Sequence, residues 1–479
     1  MANYRAPGVY VEEIPFFPPS VEEVASAVPA FVGYTEKATA KTPGDLSGVP
    51  TPIQSWHDYL SWFGGPDRED PTHIDIRVDE QKSGTTTTGF KVSIQPDHVN
   101  LSRHIFYHAV RHYFANGGGT CYIVSVGDYS KPVTNADIAT GLGVVAAIDE
   151  PTMIVVPEAI ALDPAGYRNI IQQMIIQASF LKERFAIIDT ALTTVPKTVE
   201  SIANDVRTAI DHLPVENSVR SYGAVYYPFL ETTYTYEFDF DTLKLSEHRL
   251  NGGTPIDDKT GRSMLELRSS SAAMYNGVFA EFAKHHITLP PSAAVAGVYA
   301  RVDRERGVWK APANVGMLDV VKPIVPLSLT DQERLSINTE TGRSVNAIVS
   351  LTGKGTVVMG ARTLDGNDNE WRYINVRRFF MVTEASLKKS TGWVVFEPNT
   401  VSTWLKVRAM IENYLELKWR QGALAGAKPE QAFFVNVGLG KTMTPEDILE
   451  GRLIVELGMA VVRPAEFIIL RLTQKMQAS

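Results

Sequence analysis

Between residues 104 and 228, apolar runs of strand length alternate with longer helical patterns, and that alternation limits the possible folds more than any other feature of the chain. Residues 121–126, 153–156, 185–189 and 222–227 read as strands, and residues 137–148, 165–183 and 198–212 as helices. Strands separated by helix-length connections pair in parallel, with the helices on the sheet faces. The expected class is therefore α/β in this stretch. At 479 residues the chain has room for more than one such body, roughly two to four at about 150 residues each. A hydrophobic content of 44% is enough for real cores.

Flanking this stretch are two regions of different pattern. Residues 73–95 alternate through Ile74, Ile76 and Val78, then Phe90, Val92 and Ile94, with a Gly/Thr-rich tip between them. That is a β-hairpin pattern. From about 330 onward the rhythm is strand, helix, long helix, strand. The long helix, expected from about Val401 to Gln421, has an apolar face of Trp404, Val407, Ile411, Tyr414, Leu415 and Trp419. Lys406, Asn413 and Arg420 recur at seven-residue spacing on the opposite face, with Asn399 as the expected N-cap and Gly422 as the stop.

Both chain ends read as strands. At the front, Val9, Tyr10, Val11 and Glu12 precede Pro15, Pro18 and Pro19, which set an extended, semi-rigid arm. At the back, Ile468, Leu470 and Leu472 point one way while Phe467, Ile469, Arg471 and Thr473 point the other. Terminal segments fray unless tied down, and a lone strand needs an edge to pair with. Arms at both ends therefore point to pairing with further copies of the chain.

Catalytic signatures are weak. Gly438, Leu439, Gly440, Lys441 and Thr442 resemble part of a phosphate loop, but Val435 occupies the position where GxxxxGK[ST] requires glycine. A polar turn ahead of a helix at Thr444, Pro445 and Glu446 is the simpler reading. His104, His108 and His112 share a helix face without the glutamate of HExxH, and read as a solvated or subunit-facing polar edge. Glu158 and Asp189 follow strands, where α/β sheets bind ligands, yet no glycine-rich fingerprint accompanies them. No cofactor or metal is expected, and an α/β nucleotide-binding enzyme is the remote alternative.

The bulk numbers exclude other classes. A net charge of −8 argues against nucleic acid as the main partner. The one cysteine, Cys121, rules out an internal disulfide. No signal peptide or membrane span is evident, which predicts synthesis and assembly in the bacterial cytoplasm without membrane insertion.

Several blocks, in order, resemble the contractile tail sheath family of phage tails, tailocins and extracellular contractile injection systems. They include Tyr4 to Glu13, Ala30 to Gly33, Trp62 to Gly64, Phe114 to Gly118 with Cys121 to Val124, and Val295 to Asp303 with Gly307 to Asn314. Gly360 to Leu364, Tyr373 to Arg378, Phe396 to Asn399 and Arg463 to Phe467 complete the set. Residues 66–102 and 230–263 fit least well and look like insertions.

The resemblance implies an arm at 1–20, an inner α+β domain from 21–45 and 330–462, an outer inserted α/β domain at 46–329, and a second arm at 463–479. It implies a helical homo-oligomer around an inner tube protein, with baseplate and terminal cap proteins and paralogous sheath subunits as further partners. It also implies a helix of the inner domain that holds the tube, for which Lys406, Asn413 and Arg420 are the candidates. The expected role is a subunit of a contracting sheath, in an injection system or tailocin first and a phage tail second.

Overall fold

The computed structural model describes residues 20–96, 104–190, 217–253, 255, 257–336 and 342–466. The expected arm strands at Val9 to Glu12 and Phe467 to Leu472, Pro15, Pro18 and Pro19, and the expected helix at 198–212 lie outside these residues. The chain divides into two compact units. The smaller is Met1–Val24 with Val382–Val462, and the larger is Ala25–Met381 with Arg463–Ser479.

The larger unit begins with β1 (Pro29–Gly33), β2 (Thr51–Ile53), α1 (Trp56–Phe63), β3 (Ile74–Ser83), β4 (Thr86–Pro96) and α2 (Phe106–Ala115). It continues through β5 (Cys121–Ser125), α3 (Asn135–Val145), β6 (Met153–Val155), α4 (Pro164–Leu181), β7 (Phe185–Asp189), α5 (Asn217–Arg220), β8 (Gly223–Tyr227) and β9 (Leu230–Thr235). After β10 (Glu247–Leu250) come α6 (Met264–Ser270), α7 (Ala272–Phe282), β11 (His286–Leu289), α8 (Ser292–Arg306), β12 (Val315–Gly316), β13 (Val320–Pro323), α9 (Leu329–Ser336), β14 (Val345–Leu351) and β15 (Gly355–Val358). The helix α10 (Ile374–Ser390) crosses the division at Met381.

Nine strands form one sheet in the order β12-β15-β14-β8-β7-β6-β1-β5-β2. The run from β14 through β5 is parallel, and β15, β12 and β2 add antiparallel edges. All residues of β1, β6, β7 and β8 are buried, as expected for strands covered on both faces. Helices α2 and α8 pack closely: a Cβ on Gly297 would stand 2.4 Å from the Tyr113 carbonyl oxygen, so only glycine permits this approach.

Here the unit boundaries depart from the expected ones. β1, placed by sequence with an inner domain at 21–45, sits in the interior of the large sheet between β5 and β6. β14 and β15, expected with 330–462, belong to the same sheet through the parallel pairing of β14 with β8.

The two expected insertions fold together. The hairpin β3–β4 forms with a two-residue turn, and β10, from the second insertion, pairs in parallel with β3. Ile74, Ile76, Val78 and Ile94 share a separate core with Leu243, Leu245, Met264, Leu267, Met274 and Val278. At about 0.8 kcal/mol per buried CH₂, such a core gives the insertions their own fold rather than leaving two loose loops.

The smaller unit contains α11 (Val401–Arg420), α12 (Pro429–Ala432), β16 (Phe433–Val437), α13 (Pro445–Leu449) and β17 (Val455–Met459). Its core joins Leu387 to Val407, Met410, Ile411, Tyr414 and Leu415 of α11 and to Val435 of β16. Among the described residues of both units, no helix is long and apolar enough to cross a membrane.

Candidate assembly surfaces

The smaller unit holds a sheet of only two strands. β16 and β17 pair antiparallel from Phe433 opposite Met459 to Val437 opposite Val455. Alternation sends Phe433, Val435, Val455, Leu457 and Met459 into the core and leaves Phe434 and Glu456 on the open face. Gly458 lets Phe434 lie across its partner strand, since a Cβ there would meet the Phe434 ring at 2.3 Å. Among the described residues neither strand has a second neighbour, so both outer edges can still accept a strand.

Beside β17 runs a groove of about 850 Å³, lined by Leu387, Val394, Val395, Phe396, Ile411, Leu453, Val455 and Leu457 among others. Phe396 is fully exposed and has φ 71, a left-handed backbone conformation unusual for an aromatic residue. Val395, Val401, Leu405, Leu417, Phe434, Leu439, Leu449 and Ile454 are further exposed apolar side chains of this unit.

The α11 helix matches its expected extent, and its apolar face is buried through Trp404, Val407, Ile411, Tyr414 and Leu415. Gly422, at φ 85, ends it. Asn399 is not its N-cap; that position belongs to Thr400. The Asn399 amide instead accepts from the Trp404 indole at 2.6 Å and donates to the Arg452 carbonyl at 3.0 Å. Of the three candidate strip residues, Asn413 and Arg420 are exposed and Lys406 is half-buried. Arg420 pairs with Glu416 at 2.5 Å, and Arg408 pairs with Glu412. The open face of α11 is therefore a mosaic of both charges with Leu405 among them.

Sequence reasoning missed Lys418. Its side chain is buried on α11, and its ammonium donates to both oxygens of Glu23 at 2.6 and 2.7 Å. Glu22 and Val24 donate their backbone N–H groups to Ser390 and Ser386, and Val21 joins the core. Residues 21–24 are thus fastened to the rest of the smaller unit. A helix position that looks like one more surface lysine gave no signal of this role.

In the larger unit, Glu466 is the last described residue. Its carboxylate accepts two bonds from the buried Arg362 guanidinium, at 2.9 and 2.6 Å, and one from the Tyr373 hydroxyl. Burial alone would raise its pKa, but the Arg362 bonds and charge outweigh this and hold it below the usual carboxylate range. The clamp ties the chain at Glu466 to the larger unit.

The histidine, carboxylate and glycine-turn candidates serve the fold. α2 begins at Phe106, after His104, and both His108 and His112 are buried rather than forming a polar edge. Tyr234 stacks on His108 and meets His112 edge-on, while His112 Nε2 lies 2.9 Å from the Leu318 carbonyl. Burial lowers both imidazoles to about 4. Among the described residues no His/Cys/Asp/Glu group could hold a metal.

Glu158, fully buried, accepts the backbone N–H groups of Tyr34 and Phe106. Asp189 accepts from the Ser292 N–H and hydroxyl at the start of α8, and burial pushes its carboxyl up to about 7. In the turn at Gly438, the N–H groups of Lys441, Thr442 and Met443 all donate to the Gly438 carbonyl, which leaves no open nest for phosphate. As expected, Thr444 caps the helix after it, with Pro445 in its first turn.

Comparison with known proteins bears on these surfaces. Residues 366–475 match the phage tail sheath C-terminal domain. The sheath of an extracellular contractile injection system, the PVC sheath complex in its contracted state, is 30% identical over 99% of both chains, with a TM-score of 0.62. Chains of the anti-feeding prophage (AFP) match as well. Its contracted helical sheath is 31% identical, covering 98% of this chain and 100% of that one at a TM-score of 0.63. A chain of its six-fold baseplate structure is 31% identical, covering 99% and 100% at 0.62. The tail sheath protein of Enterobacteria phage T4 is 27% identical over 131 residues; the match spans 27% of this chain and only 19% of that relative's length.

Proposed function

We propose, from the premise that this chain belongs to the contractile tail sheath family, that its copies assemble head to tail into an open helical tube, held together by strands exchanged at β16 and β17. The family is structural, and the chain is a sheath subunit of the extracellular injection-system kind rather than an enzyme. Injection-system sheaths match it end to end, whereas the phage relative matches about a quarter of it.

The observation that carries the assembly reading is the two-stranded sheet with both edges unclaimed among the described residues. Arms from other copies that add to those edges gain main-chain hydrogen bonds, which depend little on side-chain identity. A heterologous contact of this sort does not close, and so generates a filament. Linked through arms that leave from fixed points at Glu22 to Val24 and at Glu466, rigid bodies can rotate while the links persist. Contraction then draws on better contacts in the shorter state, with no nucleotide consumed at firing. A gain of ~1–3 kcal/mol per subunit becomes large over many copies.

The partners proposed are further copies of the chain, a baseplate, an inner tube protein, a terminal cap and paralogous sheath subunits. In this reading the smaller unit faces the tube through α11, with Lys406, Asn413 and Arg420 at the contact. The particle is assembled in the cytoplasm and acts outside the cell.

One set of preparations tests this. Deleting residues 1–14, or ending the chain after Glu466 so that the Arg362 clamp survives, is expected to give a soluble folded monomer and no tubes by negative-stain microscopy. Normal tubes from both truncations would sink strand exchange. In particles of the full-length chain, K406E/R420E is expected to empty the sheath of its tube while leaving tubes of sheath intact; filled extended particles would remove α11 from the contact.

A further inference from the structure

Away from these surfaces, the body formed by the two insertions carries a depression of about 720 Å³, a size that suits a small ligand. Its floor is aromatic. Phe240 meets Tyr275 and Phe279 edge-on, with ring centroids 5.5 and 5.3 Å apart, and the rings of Tyr275 and Phe279 lie within 13° of parallel on one face of α7. Phe279 is 56% exposed, although aromatic neighbours surround it.

The rim carries both charges. Arg68 and Arg268 share it with Glu237, Asp239 and Asp241. Opposite charges around one depression ordinarily close on each other as ion pairs. Among the described residues, none of these five side chains makes an ion pair or a hydrogen bond. They stand apart around the space instead of filling it.

We propose that this depression binds a neutral saccharide. Its chemistry excludes the alternatives in turn. A phosphate or sulfate would meet three carboxylates, and a cationic headgroup would meet two guanidiniums. A wholly apolar ligand would strip water from charges and return nothing to them. A sugar ring has one face of C–H groups that lies on an aromatic platform. Its hydroxyls donate to carboxylates and accept from guanidiniums at the same time. The half-exposed Phe279 ring, with Tyr275 and Phe240 beside it, is the platform, and the rim supplies both kinds of partner.

The test uses the purified full-length chain on an array of neutral oligosaccharides terminated in glucose, galactose, mannose or N-acetylglucosamine. Saturation-transfer NMR with the best-retained glycan then locates the contact. Wild type is expected to retain at least one neutral glycan. Phe279→Ala, and separately Asp239→Asn with Asp241→Asn, is expected to weaken that binding at least tenfold. Phe180→Ala, at an exposed aromatic on α4, is expected to leave it unchanged. Three results would overturn the proposal: no retained glycan at millimolar concentration, wild-type binding by both site variants, or displacement of the glycan by phosphocholine or inorganic phosphate.

Discussion

The smaller unit contains about a fifth of the described residues but about half of the large hydrophobic side chains left exposed. The larger unit places its apolar residues inside a nine-stranded sheet covered by helices. A soluble monomer rarely displays apolar clusters of this density, and where they occur they mark interaction surfaces. The larger unit is organised around its own core. The smaller one has a modest core, a sheet two strands wide, and a surface that suits contacts with other chains.

If the two units have separate cores, each should melt through its own cavity mutation. Leu415→Ala empties a fully buried position in the smaller unit, and Ile187→Ala does so in the large sheet. Each is expected to cost ~2–5 kcal/mol. In a calorimetric scan of the truncated monomer, L415A should lower one transition and I187A the other. A single transition displaced equally by both would erase the distinction between the units.

Titration sharpens the contrast further, because all ten histidines fall between Ala25 and Met381. His108 and His112 have folded pKa values of about 4, lowered by burial, against about 6.5 unfolded. Their contribution is complete above pH 6.5 and is lost as pH falls towards 4, at up to ~1.4 kcal/mol per pH unit for each. Asp189 acts in the opposite direction. Raised to about 7 by burial, it favours the folded state at low pH and loses that contribution as pH rises from about 3.9. His108→Phe should therefore make the larger unit less sensitive to acid, and Asp189→Asn more sensitive. The transition of the smaller unit should ignore both, and slopes of the same sign from the two variants would refute these assignments.

Local patterns in the sequence were followed closely by the structure. The strands at 121, 153, 185 and 222, the hairpin β3–β4 and α11 each carry their own periodicity. What escaped was set by distant partners. β1 is five residues long, and its neighbours β5 and β6 lie about 90 and 120 residues downstream. The short apolar run from Pro29 to Gly33 was the available sign of a central strand, and the structure buries all of it. β10 is four residues long and finds β3 from across the larger unit's helices and strands. His108 and His112 look polar on a helical wheel, but Tyr234 and the Leu318 carbonyl come from remote segments to cover them. Lys418 is buried, and its partner Glu23 returns to it from 395 positions away. The candidate strip on α11 was legible as an exposed face, while its internal pairing, Arg420 with Glu416, depends on rotamers that spacing alone does not fix.

The smallest expected effect separates folding from assembly most cleanly. Phe396 sits at φ 71 with its side chain fully exposed, so it gives its own unit strain and little burial. A left-handed conformation costs an ordinary residue ~1–2 kcal/mol. Glycine adopts it freely, though it adds freedom to the unfolded chain that takes back part of the gain. Phe396→Gly should therefore raise the stability of the smaller unit by ~0.5 kcal/mol, read as a higher midpoint for its transition alone. If the residue is held there to meet another chain beside the β17 groove, the same variant should form fewer and shorter tubes at equal protein concentration. A protein that becomes slightly more stable and assembles worse is the outcome expected of a contact residue. A less stable unit with normal tubes would show that Phe396 serves its own fold, and the apolar excess of the smaller unit would then need another explanation at that position.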